Sequence, residues 1–335
     1  MHGKSLKAKG VVVVVMFLIL FLHLNVIQLR IVEAQEGGFP NKPIEILCGY
    51  DPGSFMDVGA RMVGEKVSKI LKVPVVIQNR SGAHAKIALR TVVHAKPDGY
   101  PLMTANQANL VIARIMSPDY PIDPENDLMP IYEYGAMPSY ATVNSSAPWK
   151  TLQDFIDDAK KHPDKFDVGT AGAGSTSHFI LEILCTRSGA KIKHVPFKGG
   201  TALVTQILGG HLSAVFTGNP TLLNNIEAGK LRALAIFADD RDPRFPNVPT
   251  VAEAGYSDAS LPVWAGFFGP QKMPEAVHGR LVSAFGTAIK DPEVMSALRK
   301  IGILIKPKGP EEITKHLKTQ YPLLLEYAKK TNIVK

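Results

Sequence analysis

At 335 residues, with 45% apolar residues and a mean hydropathy near zero, the chain has the composition of a globular protein of about two domains. Its net charge of +8 is spread along the sequence without a Lys/Arg block interleaved with aromatics, which removes support for nucleic-acid binding. Two cysteines and ten scattered histidines offer no metal-ligand spacing, so no metal or cofactor is expected.

Lys4, Lys7 and Lys9 precede an unbroken apolar run from Val11 to Leu22, and Val32-Glu33-Ala34 supplies small residues where a signal peptidase reads. The pattern predicts an export signal over 1–34, cleaved after Ala34. A retained anchor stays open, because the run could extend to Leu29 through His23, Asn25 and Gln28. Cleavage would remove Lys4, Lys7, Lys9, Arg30 and Glu33, taking the charge from +8 down by three to +5. A mild positive field of that kind suits an anionic ligand. Cys48 and Cys185 read as two buried small hydrophobes rather than a disulfide.

Ile44 to Cys48 reads as a buried strand running into Gly49-Tyr50-Asp51-Pro52-Gly53-Ser54-Phe55-Met56, a loop at the strand's carboxyl end. Asp57 is the expected N-cap of a helix whose face carries Val58, Met62, Val63, Val67, Ile70 and Leu71. Open α/β sheets bind ligands at such loops. Further strands are predicted at Val73 to Ile77 and Leu102 to Thr104, with Asn106 and Gln107 just past the second, and a helix through Ile87, Leu89 and Val92 between them. A proline-rich span, Ser117 to Pro130, then separates these elements from a strand at Ser139 to Val143 and a capping box at Thr151-Leu152-Gln153-Asp154.

The most informative stretch follows a short strand at Phe166 to Val168 and reads Gly169-Thr170-Ala171-Gly172-Ala173-Gly174-Ser175-Thr176-Ser177-His178. Its glycines let the backbone approach a ligand, and its hydroxyls crowd the start of a predicted helix that ends at Gly189. Unpaired N–H groups at a helix start accept carboxylate or phosphate, so this turn is expected to hold the anionic end of a small ligand. A plain strand-to-helix turn capped by Ser175 is the competing reading.

Strands at Lys193 to Pro196, Ser213 to Phe216 and Arg232 to Phe237 alternate with helices stopped by Gly209-Gly210 and Gly229. The loop between the first pair includes Lys198, read as a solvated lysine. Trp264 to Phe268 resumes the first unit. Two helical patterns close the chain, through Val277 to Ile289 and Ile313 to Leu324, with a short strand at Ile303 to Ile305 between them. The expected architecture is α/β and two-lobed: residues 35–138 plus 257–335 form one discontinuous domain and 139–256 the other, joined by two crossings that suit hinge closure.

Enzyme motifs fail at the residues that matter. Gly169 and Gly174 have Walker-A spacing, but Ser175 stands where the lysine is needed; the third glycine of a G-x-G-x-x-G is Ser177. Ser175 and His178 lie on one helical turn, poor geometry for a nucleophile and its base, and Asp51 and Asp57 have no evident acidic partner.

Several motifs together resemble one family: Pro43-Ile44, Gly53 to Asp57 with Ala60-Arg61, Pro97-Asp98-Gly99-Tyr100, Gly172 to His178, His194-Val195-Pro196-Phe197-Lys198-Gly199, Ala228-Gly229-Lys230-Leu231-Arg232-Ala233-Leu234-Ala235, and Val248-Pro249-Thr250-Val251-Ala252-Glu253-Ala254-Gly255. They resemble the extracytoplasmic solute receptors of tripartite tricarboxylate transporters, the Bordetella uptake gene (Bug) family, from about residue 40 to the end. The resemblance implies a type II periplasmic binding protein, without catalytic residues or cofactor. It would be a monomer that grips a small carboxylate between its lobes and delivers it to a two-component membrane permease. By position, Tyr50, Gly53, Ser54, Phe55 and Met56 would line one wall, with polar contacts from Asn106 and Gln107. Thr170, Ala171, Ser175, Thr176 and Ser177 would form the facing wall, with Thr217 and Trp264 at the mouth.

Three departures narrow the ligand. Gly53-Ser54 replaces a usual Gly-Gly, Phe55-Met56 replaces a small residue and Thr, and Thr217-Gly218 stands where many members have Asp-Asn. Loss of that acid disfavours an amino-acid ligand, and the bulkier pair favours a carboxylate with an apolar or aromatic body. An exported sensor feeding a membrane signalling protein is the alternative the same fold would serve; a secreted hydrolase is the third reading.

Overall fold

The computed structural model describes residues 38–331, 333 and 334 apart from 83, 84, 118, 119, 121, 198 and 199. The expected export signal and Lys198 lie outside the described residues.

Two five-stranded mixed sheets organise the chain. The first contains β1 (Ile44–Cys48), β2 (Val75–Asn79), β3 (Pro101–Asn106), β4 (Leu128–Met137) and β10 (Val263–Pro270), ordered β2-β1-β3-β10-β4. The second contains β5 (Ser139–Asn144), β6 (Asp167–Thr170), β7 (Lys193–Pro196), β8 (Ala214–Thr217) and β9 (Leu231–Phe237), ordered β7-β6-β8-β5-β9. Both follow one plan: β1 and β6 are each flanked by two parallel partners, and the strand that crosses from the other lobe pairs antiparallel on both sides. The two-lobed α/β architecture read from the sequence is the one observed.

A helix follows β1 and another follows β6: α1 (Phe55–Leu71) and, after α2 (Lys86–Val93), α3 (Ala113–Met116), α4 (Pro124–Asp127) and α5 (Leu152–Lys161), α6 (Thr176–Ser188). Buried Ala60, Val63, Val67 and Leu71 give α1 one apolar stripe against the sheet. Its N-cap is Ser54 rather than the expected Asp57, so Phe55 and Met56 belong to the first helical turn. Asp57 sits three residues inside and binds back to the loop, a role that a short acidic side chain fills as readily as capping. A π-helical turn, Ala108–Ile112, runs into α3, and Leu128–Met137 is an edge strand; neither was expected. The anticipated strand at Ile303 to Ile305 is reduced to a single bridge between Leu304 and Ala136.

The second lobe continues with α7 (Gly200–Leu208) and α8 (Pro220–Glu227), and the chain closes with α9 (Glu275–Ile289), α10 (Pro292–Lys300) and α11 (Pro310–Lys330). Separate apolar cores fill each lobe: Ile44, Ile46, Val63 and Phe285 in the first, Leu203, Ile207, Leu222 and Ile236 in the second. A third core is shared. It runs from Leu89 and Leu110 to Phe179 and Ile183 of α6, and includes Leu317 and Leu324 of α11. Helix α11 thus packs on β4 and on α6 at once. Asp258 reinforces the junction by accepting from Tyr327 of α11 and pairing with Arg187 of α6. Elsewhere between the lobes, Lys306 Nζ binds Asp240 Oδ2 at 2.9 Å.

Both cysteines are free. Burial pushes the Cys48 thiol to about 11 and Cys185 to about 12, consistent with two inert hydrophobes.

Candidate functional site

The first turn is built around one carboxylate. Gly53 takes φ +82°, a conformation that favours glycine, and directs its N–H to Asp57 Oδ2 at 2.9 Å. Ser54 Oγ accepts the Asp57 N–H in return at 3.3 Å. Asp57 Oδ1 accepts from Arg61 Nε and from Asn79 Nδ2, both at 2.9 Å. The parallel register sets Asn79 beside Cys48, so its amide also reaches the Tyr50 carbonyl at 3.0 Å. Burial pushes the Asp57 carboxyl up, but the hydrogen bonds from Arg61, Gly53 and Asn79, with the Arg61 charge, outweigh it and hold the group below the usual range. Behind this turn Tyr50 donates to Asn106 Oδ1 at 2.8 Å; burial pushes the phenol up, so it stays a donor.

The second turn links β6 to α6. Gly172 and Gly174 adopt φ +133° and +70°. Ser175 caps the helix, its Oγ accepting from His178 N–H at 3.2 Å, while Ser177 Oγ accepts from Ala171 N–H at 3.1 Å. His178 Nδ1 accepts the Gly174 N–H at 3.0 Å, which fixes that nitrogen as unprotonated, and Nε2 faces Glu182 at 3.6 Å. Its ring stacks on His194 with centroids 3.9 Å apart. Burial, and then the neighbouring His178, push His194 down to about 4, so at neutral pH it is an uncharged partner for Thr170 Oγ, 2.6 Å away. The first-turn N–H groups of Thr176 and Ser177 have no helical acceptor and mark the positive end of α6.

A cavity of about 760 Å³ separates the turns. Phe55, Lys86, Ile112, Met116 and Ser117 line it from the first lobe; Ala171 to Ser177, Phe197, Thr217 and Gly218 line it from the second; Met137, Ser139 and Val263 lie at the crossings. The lobes touch at its edge, where Thr176 Oγ donates to Gln107 Oε1 at 3.4 Å. Gly218 packs so closely on the Pro138 carbonyl that a Cβ there would lie 1.8 Å from the oxygen, so a side chain at this crossing is excluded. Among the described lining residues there is no Asp or Glu, and Lys86 is the sole cation.

Of the anticipated wall residues, Phe55, Ala171, Ser175, Thr176, Ser177 and Thr217 border the cavity, and Gln107 is bonded to one of them. Tyr50, Gly53, Ser54 and Asn106 instead hold the first turn in shape from behind or beside it. Three expectations need correction. Met56 is 0% exposed in the first core, where the Tyr134 hydroxyl donates to its sulfur, because the helix starts one residue before it. Thr170 ends a buried strand and is spent on His194. Trp264 is not at the mouth: it is 1% exposed, donates to Gln320 Oε1 at 2.9 Å and packs on His316 of α11. Lys86, Met116, Ser117 and Ser139 were missed, since they belong to no motif and reach the cavity only through folding.

The model of the tripartite tricarboxylate transporter family receptor (TctC) matches residues 59–319. Protein BugT of Bordetella pertussis is 31% identical over 265 residues, covering 79% of this chain and 81% of that one. A protein encoded in the tcbD–tcbE intergenic region of Pseudomonas sp. strain P51 is 29% identical, covering 88% and 89%. Among solved structures, a periplasmic transporter is 34% identical with TM-score 0.76, covering 88% of this chain and 99% of its own. MatC of Rhodopseudomonas palustris with bound malate is 26% identical with TM-score 0.72, covering 86% and 99%.

Proposed function

The chain belongs to the tripartite tricarboxylate transporter receptor family, and on that premise we propose that it captures a small organic carboxylate in the cavity between its lobes. The single observation that carries the reading is the cavity's polarity: the N-terminus of α6 opens into it, and no carboxylate lines it among the described residues. A helix N-terminus with hydroxyls around it complements an anion, and an acid-free wall gives an ammonium no counter-charge. Ser175, Thr176, Ser177 and Thr217 are the polar contacts, with Phe55, Met116 and Phe197 covering an apolar body.

The receptor is exported with cleavage near Ala34, acts in the periplasm as a monomer, and hands its ligand to a two-component membrane permease rather than transforming it. Residues 35–138 with 257–335, and 139–256, are the two rigid units. Among the described residues no helix is long and apolar enough to cross a membrane. Titration calorimetry and thermal shift with benzoate-type acids, dicarboxylates and amino acids test the reading. A carboxylate at a hundred times its Kd adds about 2.7 kcal/mol to stability. Stabilisation by amino acids alone refutes the assignment.

A further inference from the structure

We infer that Met116 is the latch of this cavity: its thioether lies across the cleft on the glycine turn of the other lobe, holds that turn closed and sets how fast the ligand leaves. The inference rests on the receptor reading and deepens it. Met116 ends α3 in the first lobe, and its Cε, Cγ and Sδ lie 2.9, 3.2 and 3.2 Å from where a Cβ on Gly174 would stand. The side chain therefore fills the space that any larger residue at position 174 would need, and glycine leaves that space free.

A firm backbone carries this pliable side chain. Ile112, Ala113 and Ile115 beside it are buried in the core shared by the lobes, and the Tyr120 hydroxyl donates to the Asn109 carbonyl at 2.6 Å. Met116 itself is 37% exposed, so its side chain can swing without disturbing that core. Methionine suits a contact that is made and broken, because its unbranched, polarizable chain adapts to the surface it meets. Gly174 is fixed from its own side: its N–H donates to His178 Nδ1 at 3.0 Å, and the next N–H, of Ser175, donates to the Gly172 carbonyl at 3.2 Å.

The place of the contact ties it to capture. Gly174 immediately precedes Ser175, Thr176 and Ser177, the cap and first turn of α6, and both Met116 and Gly174 line the cavity. Parting them widens the wall beside the polar groups that receive the ligand. The neighbouring contact between the lobes, Thr176 Oγ to Gln107 Oε1, is 3.4 Å long and joins neutral groups. A hydrogen bond that long is weak, which leaves the apolar contact at Met116 to hold this turn closed.

Amide hydrogen exchange on the ligand-free, full-length chain tests the latch, read over residues 171–178, where the Ala171 and Gly174 N–H groups are hydrogen-bonded. Met116→Ala should speed exchange there by about threefold or more with core peptides unchanged, and Met116→Leu should stay within about twofold of wild type. Stopped-flow release with benzoate, succinate and adipate as probes then measures the effect on capture. Losing the partial burial of one methionine predicts an off-rate about fivefold faster in Met116→Ala, with the on-rate nearly unchanged. The factor should be alike for every acid that binds, because a latch acts on the lobes; packing on the ligand alone would make it grow with the ligand's apolar body and leave ligand-free exchange untouched. Melting curves establish that each variant is folded. Unchanged exchange in Met116→Ala, or a factor confined to the largest acid, overturns the latch and leaves the receptor reading standing. If wild type binds none of the acids, the receptor reading and the release role fail together.

Discussion

Replacing Asp57 with Asn should unfasten the first turn at a measurable cost. The carboxylate is 3% exposed and accepts three hydrogen bonds, from Gly53 N–H, Arg61 Nε and Asn79 Nδ2. An amide of the same shape must turn its NH₂ towards at least one of those donors. Each hydrogen bond to a buried charge contributes about 1.5–3 kcal/mol, and a buried donor left unpaired costs about 1–3 kcal/mol. The Arg61 side chain is 50% exposed, so water takes over much of that contact. One lost buried bond plus a weakened ion pair gives a destabilisation of about 2–4 kcal/mol at pH 7. Because the folded-state pKa is depressed, the carboxylate's contribution is complete above the unfolded value near 4 and disappears as pH falls through the folded value below it. The gap between wild type and Asp57→Asn should therefore be widest at neutral pH and close in acid. Urea unfolding across that range measures it. A gap under about 0.5 kcal/mol at pH 7, where surface changes fall, or one that does not narrow in acid, refutes the account.

Two further changes test the second turn and the shared core. Trp264→Phe removes the donor to Gln320 Oε1 inside the core, and should cost about 2–3 kcal/mol of stability while moving carboxylate affinity less than about twofold; a large affinity loss at unchanged stability would return the indole to the cavity wall. His194, held neutral by burial and by His178 with its pKa near 4, contributes stability that is complete above the unfolded value near 6.5 and lost as pH falls from there to about 4. His194→Asn should flatten urea midpoints over that window, and parallel pH profiles for variant and wild type would contradict it.

The shape of the two glycine turns was legible because glycine and hydroxyl clusters at strand ends leave a local signature. Gly53, Gly172 and Gly174 do adopt left-handed backbone, and Ser175 caps α6. Local chemistry is ambiguous where two short polar residues compete: Ser54 and Asp57 can each cap α1, and only the donors brought by Arg61 and Asn79 settle which one binds back to the loop. Strand β4 was hidden by Pro130 and Gly135, which an edge strand tolerates. Side chains that act across the fold left no trace in the chain's order. Trp264 is placed by α11, and Lys86 by the approach of Ser117 from the segment after α3.

Helix α11 lies on β4 of one lobe and on α6 of the other, so the helix whose N-terminus opens into the cavity is braced from the opposite lobe. Parting the lobes would strip apolar surface from the core that includes Leu317 and Leu324, so this packing opposes a wide opening. A receptor whose opening is opposed in this way keeps more of its unliganded ensemble capture-ready, and its apparent affinity then stays nearer the intrinsic value. Shaving α11 at Leu317 or Leu324 would lengthen the travel and weaken capture without touching a single atom of the ligand.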